Sequence, residues 1–362
     1  MSINEPAGSP YALRNLVWSL VVLGGGVVWL LEVTGQDEAR AWRVLLVNFI
    51  FFTSLAGGLV VWPAIVRACN GRWHASLERI AAAGVSFAIP SILALVLLWA
   101  GSPRWSPWHA VGHHQGLWLH NTFVFGRDLA LLCLFWGIAW RYLSERRRGE
   151  ARVTGGILVL VYSLVFSLLG MDLVMALDPK WYSTLAGGYF FMSGLYIAVT
   201  GWAFLSVLLP DADEQQRHDL GKLIVAFSLM TVYLMYSHLM PIWYENLPHE
   251  VRFPLARMGS GGWRSVGYLL LVVVYLGPLV MLLTEWAKRN RCSLGCIALL
   301  VLAGMWIERW WLVAPTFEPE LRFGLLECAT TAAFAGLLAL GLDQFQRRMP
   351  PEYLCGDRRD GL

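Results

Sequence analysis

Charge is scarce in this sequence. Asp, Glu, Lys and Arg make up 15% of its residues and hydrophobic types 57%, whereas a soluble domain carries about 25% charge. That shortfall excludes an ordinary water-facing globular surface. Cysteine chemistry is thin as well. The six cysteines (Cys69, Cys133, Cys292, Cys296, Cys328 and Cys355) form no CxxC and no CxxCH pair, so neither a redox dithiol nor covalently attached haem is expected. Most of them fall in or near apolar runs, which argues against a disulfide framework. Cys292 and Cys296, four apart beside a basic loop, read as inert. Gly-rich phosphate loops, nucleophile elbows and zinc motifs are missing, which leaves nucleotide and hydrolase chemistry without support. Histidine is nearly absent from the apolar runs. His238 alone of the eight lies well inside one, so the paired axial ligands of a b-type haem are not expected. The net charge of +3 is spread over the loops, which gives no surface for nucleic acid. The first apolar run, about 16–33, lacks a small-residue cleavage site and reads as a span rather than a signal peptide.

What fills the chain instead is a series of about ten apolar runs of roughly 20 residues, the length that crosses a hydrocarbon core of about 30 Å. Many of the 19 tryptophans stand at run ends, where indole rings favour the headgroup zone. The expected spans are 14–34, 44–67, 79–101, 127–145, 154–176, 184–209, 221–243, 263–287, 293–313 and 323–345. Loops between them are short. The fold class is therefore an all-α polytopic membrane bundle, one domain over residues 1–362 with short polar tails at 1–13 and 346–362. Eighteen of the 28 Lys and Arg residues fall on the tails and even-numbered loops, so both termini are expected in the cytoplasm.

An ionisable group inside a span is expensive and normally faces the bundle interior, where it marks a site or pathway. Asp172, Glu308 and Glu327 lie near the outer ends of their spans, as does His238; Glu285 is the exception, near a cytoplasmic end. The segment from Asp172 to Thr184 holds a buried carboxylate. Asp178-Pro179 then stops the helix, and Ser183 or Thr184 is placed to cap the next one. A tight outer hairpin explains residues 178–184 but not Asp172, which needs a partner or a proton. In Tyr236 to Glu250, His238 is followed by a helix-kinking Pro241, then by Glu245, His249 and Glu250. A histidine among carboxylates suits proton-coupled chemistry, since its ordinary pKa lies near 6.5; a satisfied core histidine is the plainer alternative. The third segment carries His109, His113, His114 and His120, then Arg127-Asp128. Its spacing is irregular and no cysteine joins it, so no metal site is expected. Arg127 has either Asp128 or Asp172 as a candidate partner.

Several ordered pieces resemble one family. Trp118-Leu119-His120-Asn121 with Phe123, Phe125 and Arg127 is one; Asp172 through Thr184 is another. Asp219-Leu220-Gly221-Lys222-Leu223, the stretch from Tyr236 to Glu250, Gly277-Pro278 and Lys288-Arg289 complete the set. Together they resemble the ActF-like membrane subunits of bacterial alternative complex III, a quinol:cytochrome c oxidoreductase, within the wider NrfD/PsrC-like superfamily. The likeness is strongest over about 115–290. Leu173, Lys180, His238 and His249 stand where the family has Trp, His, Gln and Glu.

The resemblance implies a multi-pass subunit of the bacterial inner membrane. Its partners would be a homologous NrfD-like subunit and subunits holding iron–sulfur clusters and haem c, which would carry the electrons. The subunit itself would hold no covalent or metal cofactor and would offer quinol an apolar pocket, a proton route, or both. Asp172 and His238 are expected on facing helices as proton acceptors. Glu245, His249 and Glu250 would pass the proton outward, and Arg127 would hold a carboxylate ionised. Asp178, Trp181, Tyr182, Trp243 and Tyr244 join Arg127 as pocket candidates. The alternatives are a non-catalytic scaffold or proton conduit in the same complex and, more remotely, a secondary transporter, which would carry charged groups at mid-membrane depth.

Overall fold

Ten helical segments are long and apolar enough to cross a membrane. The computed structural model describes residues 10–35, 37–71, 77–109, 116–149, 151–208, 212–259 and 261–348. Within them the helices are α1 (Pro10–Val33), α2 (Glu38–Ala68), α3 (Glu78–Ala82), α4 (Ala88–Trp105), α5 (Asn121–Arg146), α6 (Arg152–Leu173), α7 (Ala186–Leu208), α8 (Glu214–Glu245), α9 (Pro248–Met258), α10 (Gly262–Leu270), α11 (Gly277–Met281), α12 (Glu285–Arg289), α13 (Arg291–Val313) and α14 (Leu325–Arg348). Among the described residues there is no strand. The protein is an all-α, multi-pass membrane bundle. Ten crossings return the two ends of the bundle to one side.

The centre is α2, whose side chains are apolar around the whole circumference. A helix of that pattern must be surrounded, and α2 packs against α4, α6, α7, α13 and α14. Small residues bring these helices close, as membrane packing requires. A Cβ on Gly58 would lie 2.4 Å from the Ala198 Cβ of α7, and one on Gly25 would lie 2.3 Å from the Ala329 carbonyl oxygen of α14. Near one membrane end, buried Glu78 receives Arg146 Nε at 2.9 Å and Arg67 at 2.9 Å, which ties α2, α3 and α5 together.

Three elements differ from the sequence expectation. The fourth span begins at Asn121 rather than 127. Arg127 and Asp128 therefore sit nearly two turns inside a helix, a place the guanidinium tolerates because Trp118 and Phe123 cover it at 4.0 and 5.1 Å. The expected outer loop after the seventh span is largely helical: Asn246, left-handed at φ 48°, ends α8, and Pro248 starts α9 in its first turn.

The eighth span is broken. Residues Leu271–Leu276 form a π-helical turn between α10 and α11. Pro278 has no N–H, so the carbonyl of Val274 four residues earlier loses its helical donor. The Tyr196 hydroxyl donates to that carbonyl at 2.8 Å, and Ser228 Oγ donates to the neighbouring Tyr275 carbonyl at 2.7 Å. Tyr196→Phe should leave the Val274 oxygen bare and cost about 1–3 kcal/mol. A lowered thermal midpoint of the detergent-solubilised protein would report it; an unchanged midpoint would show that the π turn satisfies itself.

Candidate functional site

Helix phase on α8 builds one wall of a cavity. Val232, Met235, Tyr236 and Leu239 recur at the spacing of one helical face, and all four line a cavity of about 240 Å³. Gly267, Tyr268 and Leu270 of α10, Leu271 and Tyr275 of the π turn, Met258, Glu308 and Trp311 complete it. Tyr236 and Tyr268, on opposite sides, are 62% and 50% exposed. The lipid-facing surface of α8 and α10 thus reaches the cavity edge, and an apolar molecule dissolved in the bilayer has lateral access.

Glu308 is the one ionisable group in this wall, and it is fully buried. The Tyr189 hydroxyl donates to its Oε1. Tyr189 and Tyr275 hydroxyls lie 2.8 Å apart. On the other side Arg309 Nη1 is 3.2 Å from Glu308 Oε2, and Arg309 Nη2 donates to Ser193 Oγ at 2.8 Å. The arginine also lies over Phe190 at 4.5 Å. Removing both charges from water costs several kcal/mol per ion. Apolar side chains would pack there more cheaply, so a buried carboxyl on the cavity wall, bonded to the Tyr189–Tyr275 pair, points to proton chemistry.

A smaller cavity of about 40 Å³ adjoins the first, sharing Met235, Leu239, Met258 and Trp311. His238, Trp181, Phe253, Arg257 and Tyr189 line it. Trp181 and Phe253 stack at 3.8 Å with an interplanar angle of 7°. Arg257 Cζ lies 3.3 Å from the Phe253 centroid, while its nitrogens donate to the Phe253 carbonyl at 2.9 Å and to Thr316 Oγ1 at 3.0 Å. Burial pushes the Arg257 guanidinium down to about 9, and the Asp178 carboxylate resists that shift. Ser183 Oγ is 3.2 Å from His238 Nδ1.

A second buried group lies elsewhere. Asp172 of α6 receives Arg127 Nη2, and Asp128 Oδ1 lies 3.7 Å from Arg127 Nε. Neither Asp128 oxygen has a hydrogen-bond partner, so the two carboxylates meet through Arg127.

Two sequence candidates, His238 and Trp181, meet at the small cavity. The expected facing of Asp172 and His238 is not found. Gly170 in the last turn of α6 and Val174 just beyond its end line the small cavity. Asp172, between them, is about 200° around the helix and turns to Arg127 instead. Arg127 meets both candidate partners. Asp178 lies 3.8 Å from Arg252. Tyr182, Trp243 and Tyr244 are exposed, the last two at 81%, and none lines either cavity. Glu245 is exposed at the end of α8, and Glu250 is half-buried in α9. His249 is in the first turn of α9, its side chain outside the described residues, as are His113 and His114. The chain matches no model of a known protein family and no curated protein.

Several residues of the site carried no clear sequence signal. Glu308 reads from sequence only as an ionisable group in a span, not as part of a wall. Arg257 reads as a solvated loop cation, and Tyr189 and Tyr275 read as ordinary aromatics in apolar runs. The helical spacing of Val232, Met235, Tyr236 and Leu239 is the sequence feature that corresponds to the cavity face.

Proposed function

We propose that this chain is a membrane subunit of a bacterial quinol-oxidising respiratory complex and that quinol enters the cavity between α8, α10 and α13. The observation that carries this reading is a bilayer-accessible apolar cavity with a single buried carboxyl in its wall. An apolar cavity of about 150 Å³ admits benzene, so 240 Å³ gives a substituted six-membered ring room. Quinol oxidation releases two protons and two electrons. Glu308, held by the Tyr189 hydroxyl, takes the first hydroxyl proton, and the His238 imidazole on the wall of the adjoining cavity takes the second. The electrons leave to iron–sulfur and haem c partners, which agrees with the absence of redox motifs in this sequence. The homologous membrane subunit expected beside it would complete the lipid-embedded part.

Val232→Trp tests the reading by filling the cavity from α8. Quinol KM should rise about tenfold or more, the equivalent of 1.4 kcal/mol of lost ring contact, with assembly of the complex retained. Unchanged kinetics in a correctly assembled variant would remove quinol from this cavity.

A second reading, a proton conduit or scaffold beside a catalytic homologue, draws on the two buried carboxylates, Asp128 and Asp172, that meet at Arg127. Under it, Val232→Trp leaves quinol turnover intact, whereas Asp128→Asn impairs proton release. A transporter is less well supported, because Asp128 near the start of the fourth span and Asp172 and Glu308 near the ends of the fifth and ninth all lie toward one side of the bundle.

A further inference from the structure

Two buried donors on residues lining the small cavity have no acceptor: Trp181 Nε1 and Arg257 Nε. Leaving such a donor dry is costly, and native proteins keep few of them. Trp42, Trp108 and Trp310 also bury an unpaired indole N–H, but none of them lines either cavity. What sets the small cavity apart is an unpaired indole and an unpaired guanidinium N–H on residues of one enclosure. Both side chains are held by other contacts. The indole is stacked on Phe253, and the guanidinium is bonded to the Phe253 carbonyl and Thr316. Neither can swing away to find water without breaking these contacts.

We infer that the small cavity is an oxygen-binding subsite in which Trp181 and Arg257 donate hydrogen bonds to an acceptor oxygen of the ligand whose ring fills the larger cavity. The inference rests on the proposed ring site and adds its selectivity. The two cavities adjoin at four shared lining residues, and the inference requires one ligand to place its ring in the larger and an oxygen in the smaller. One end meets a carboxyl that takes a proton, and the other meets donors that require an acceptor. The preferred ligand is therefore a ring with oxygens at both ends, over a ring with one. An ordered water is the competing occupant, since 40 Å³ exceeds what a single water needs.

The test is equilibrium binding of two probes to the full-length protein in lipid nanodiscs: 2-decyl-1,4-benzoquinone and 4-decylphenol. The wild type should hold the quinone about tenfold more tightly, a difference equivalent to 1.4 kcal/mol. Trp181→Phe, which keeps a ring on Phe253 but removes the donor, should shrink that preference several-fold and leave decylphenol affinity unchanged. A preference that survives Trp181→Phe intact overturns the subsite, and so does equal binding of both probes by the wild type; in either case the ring site stands. Failure of both probes to bind overturns the ring site itself.

Discussion

Glu308→Gln is expected to lower quinol turnover by about 10²–10⁴-fold, the range that a positioned acid or base contributes. Glutamine has nearly the same shape and can still accept the Tyr189 hydroxyl, but it cannot take a proton from a substrate hydroxyl. The substitution also strips Arg309 of its counter-ion. A buried cation left unpaired costs about 3–5 kcal/mol, enough to lower the amount of assembled protein and mimic a catalytic loss. Glu308→Gln with Arg309→Met separates the two effects. The double variant is neutral, keeps an apolar chain over Phe190, and should regain thermal stability without regaining turnover. If Glu308→Gln in an assembled complex turns over at the wild-type rate, the carboxyl is not the proton acceptor, whatever the cavity binds.

The expected size of this effect follows from the setting rather than from the residue alone. Glu308 faces a cavity whose lining is otherwise aromatic and aliphatic, so little solvent is available to replace its role. Tyr189 and Tyr275 could in principle pass a proton between them, but neither phenol is a base at neutral pH. The carboxyl is the only group in that wall with the right chemistry.

How far the sequence anticipated this arrangement depends on which feature is asked about. Apolar run length alone determines the spans, because nothing but a helix satisfies its own backbone in lipid. The pairing of Arg127 was legible for a related reason: a guanidinium in a span needs a carboxylate, and two stood near it. Helix phase was harder. Asp172 and His238 both lie near the same membrane end and were expected to face each other. Depth is set by position along the helix, but facing is set by rotation about it, and a two-residue offset from Gly170 and Val174 turns Asp172 away from the cavity. The short helix α9 was illegible because Glu250, Arg252 and Arg257 make it look like solvated loop. In the fold, its Arg257 is buried against Phe253, held by carbonyls no pattern in the sequence marks. The π turn at 271–276 belongs to the same class: Pro278 signals a break, but not that Tyr196 and Ser228 are waiting to take the freed carbonyls.

Arg127→Leu should be the most destabilising single change at the second buried group, by about 3–5 kcal/mol. It would leave the buried carboxylates of Asp128 and Asp172 with no cation beside them. A fall in the thermal midpoint and in the yield of assembled protein would report the loss. Charge removal on the other side should reverse part of it: Arg127→Leu with Asp172→Asn leaves one buried carboxyl instead of two and should recover much of the midpoint. The rescue also decides what Arg127 is for. Trp118 and Phe123 lie over the guanidinium at 4.0 and 5.1 Å, and if that packing were the larger contribution, removing a carboxylate would restore nothing. A recovered midpoint therefore assigns the cost to uncompensated charge, and a midpoint that stays low assigns it to the aromatic cover.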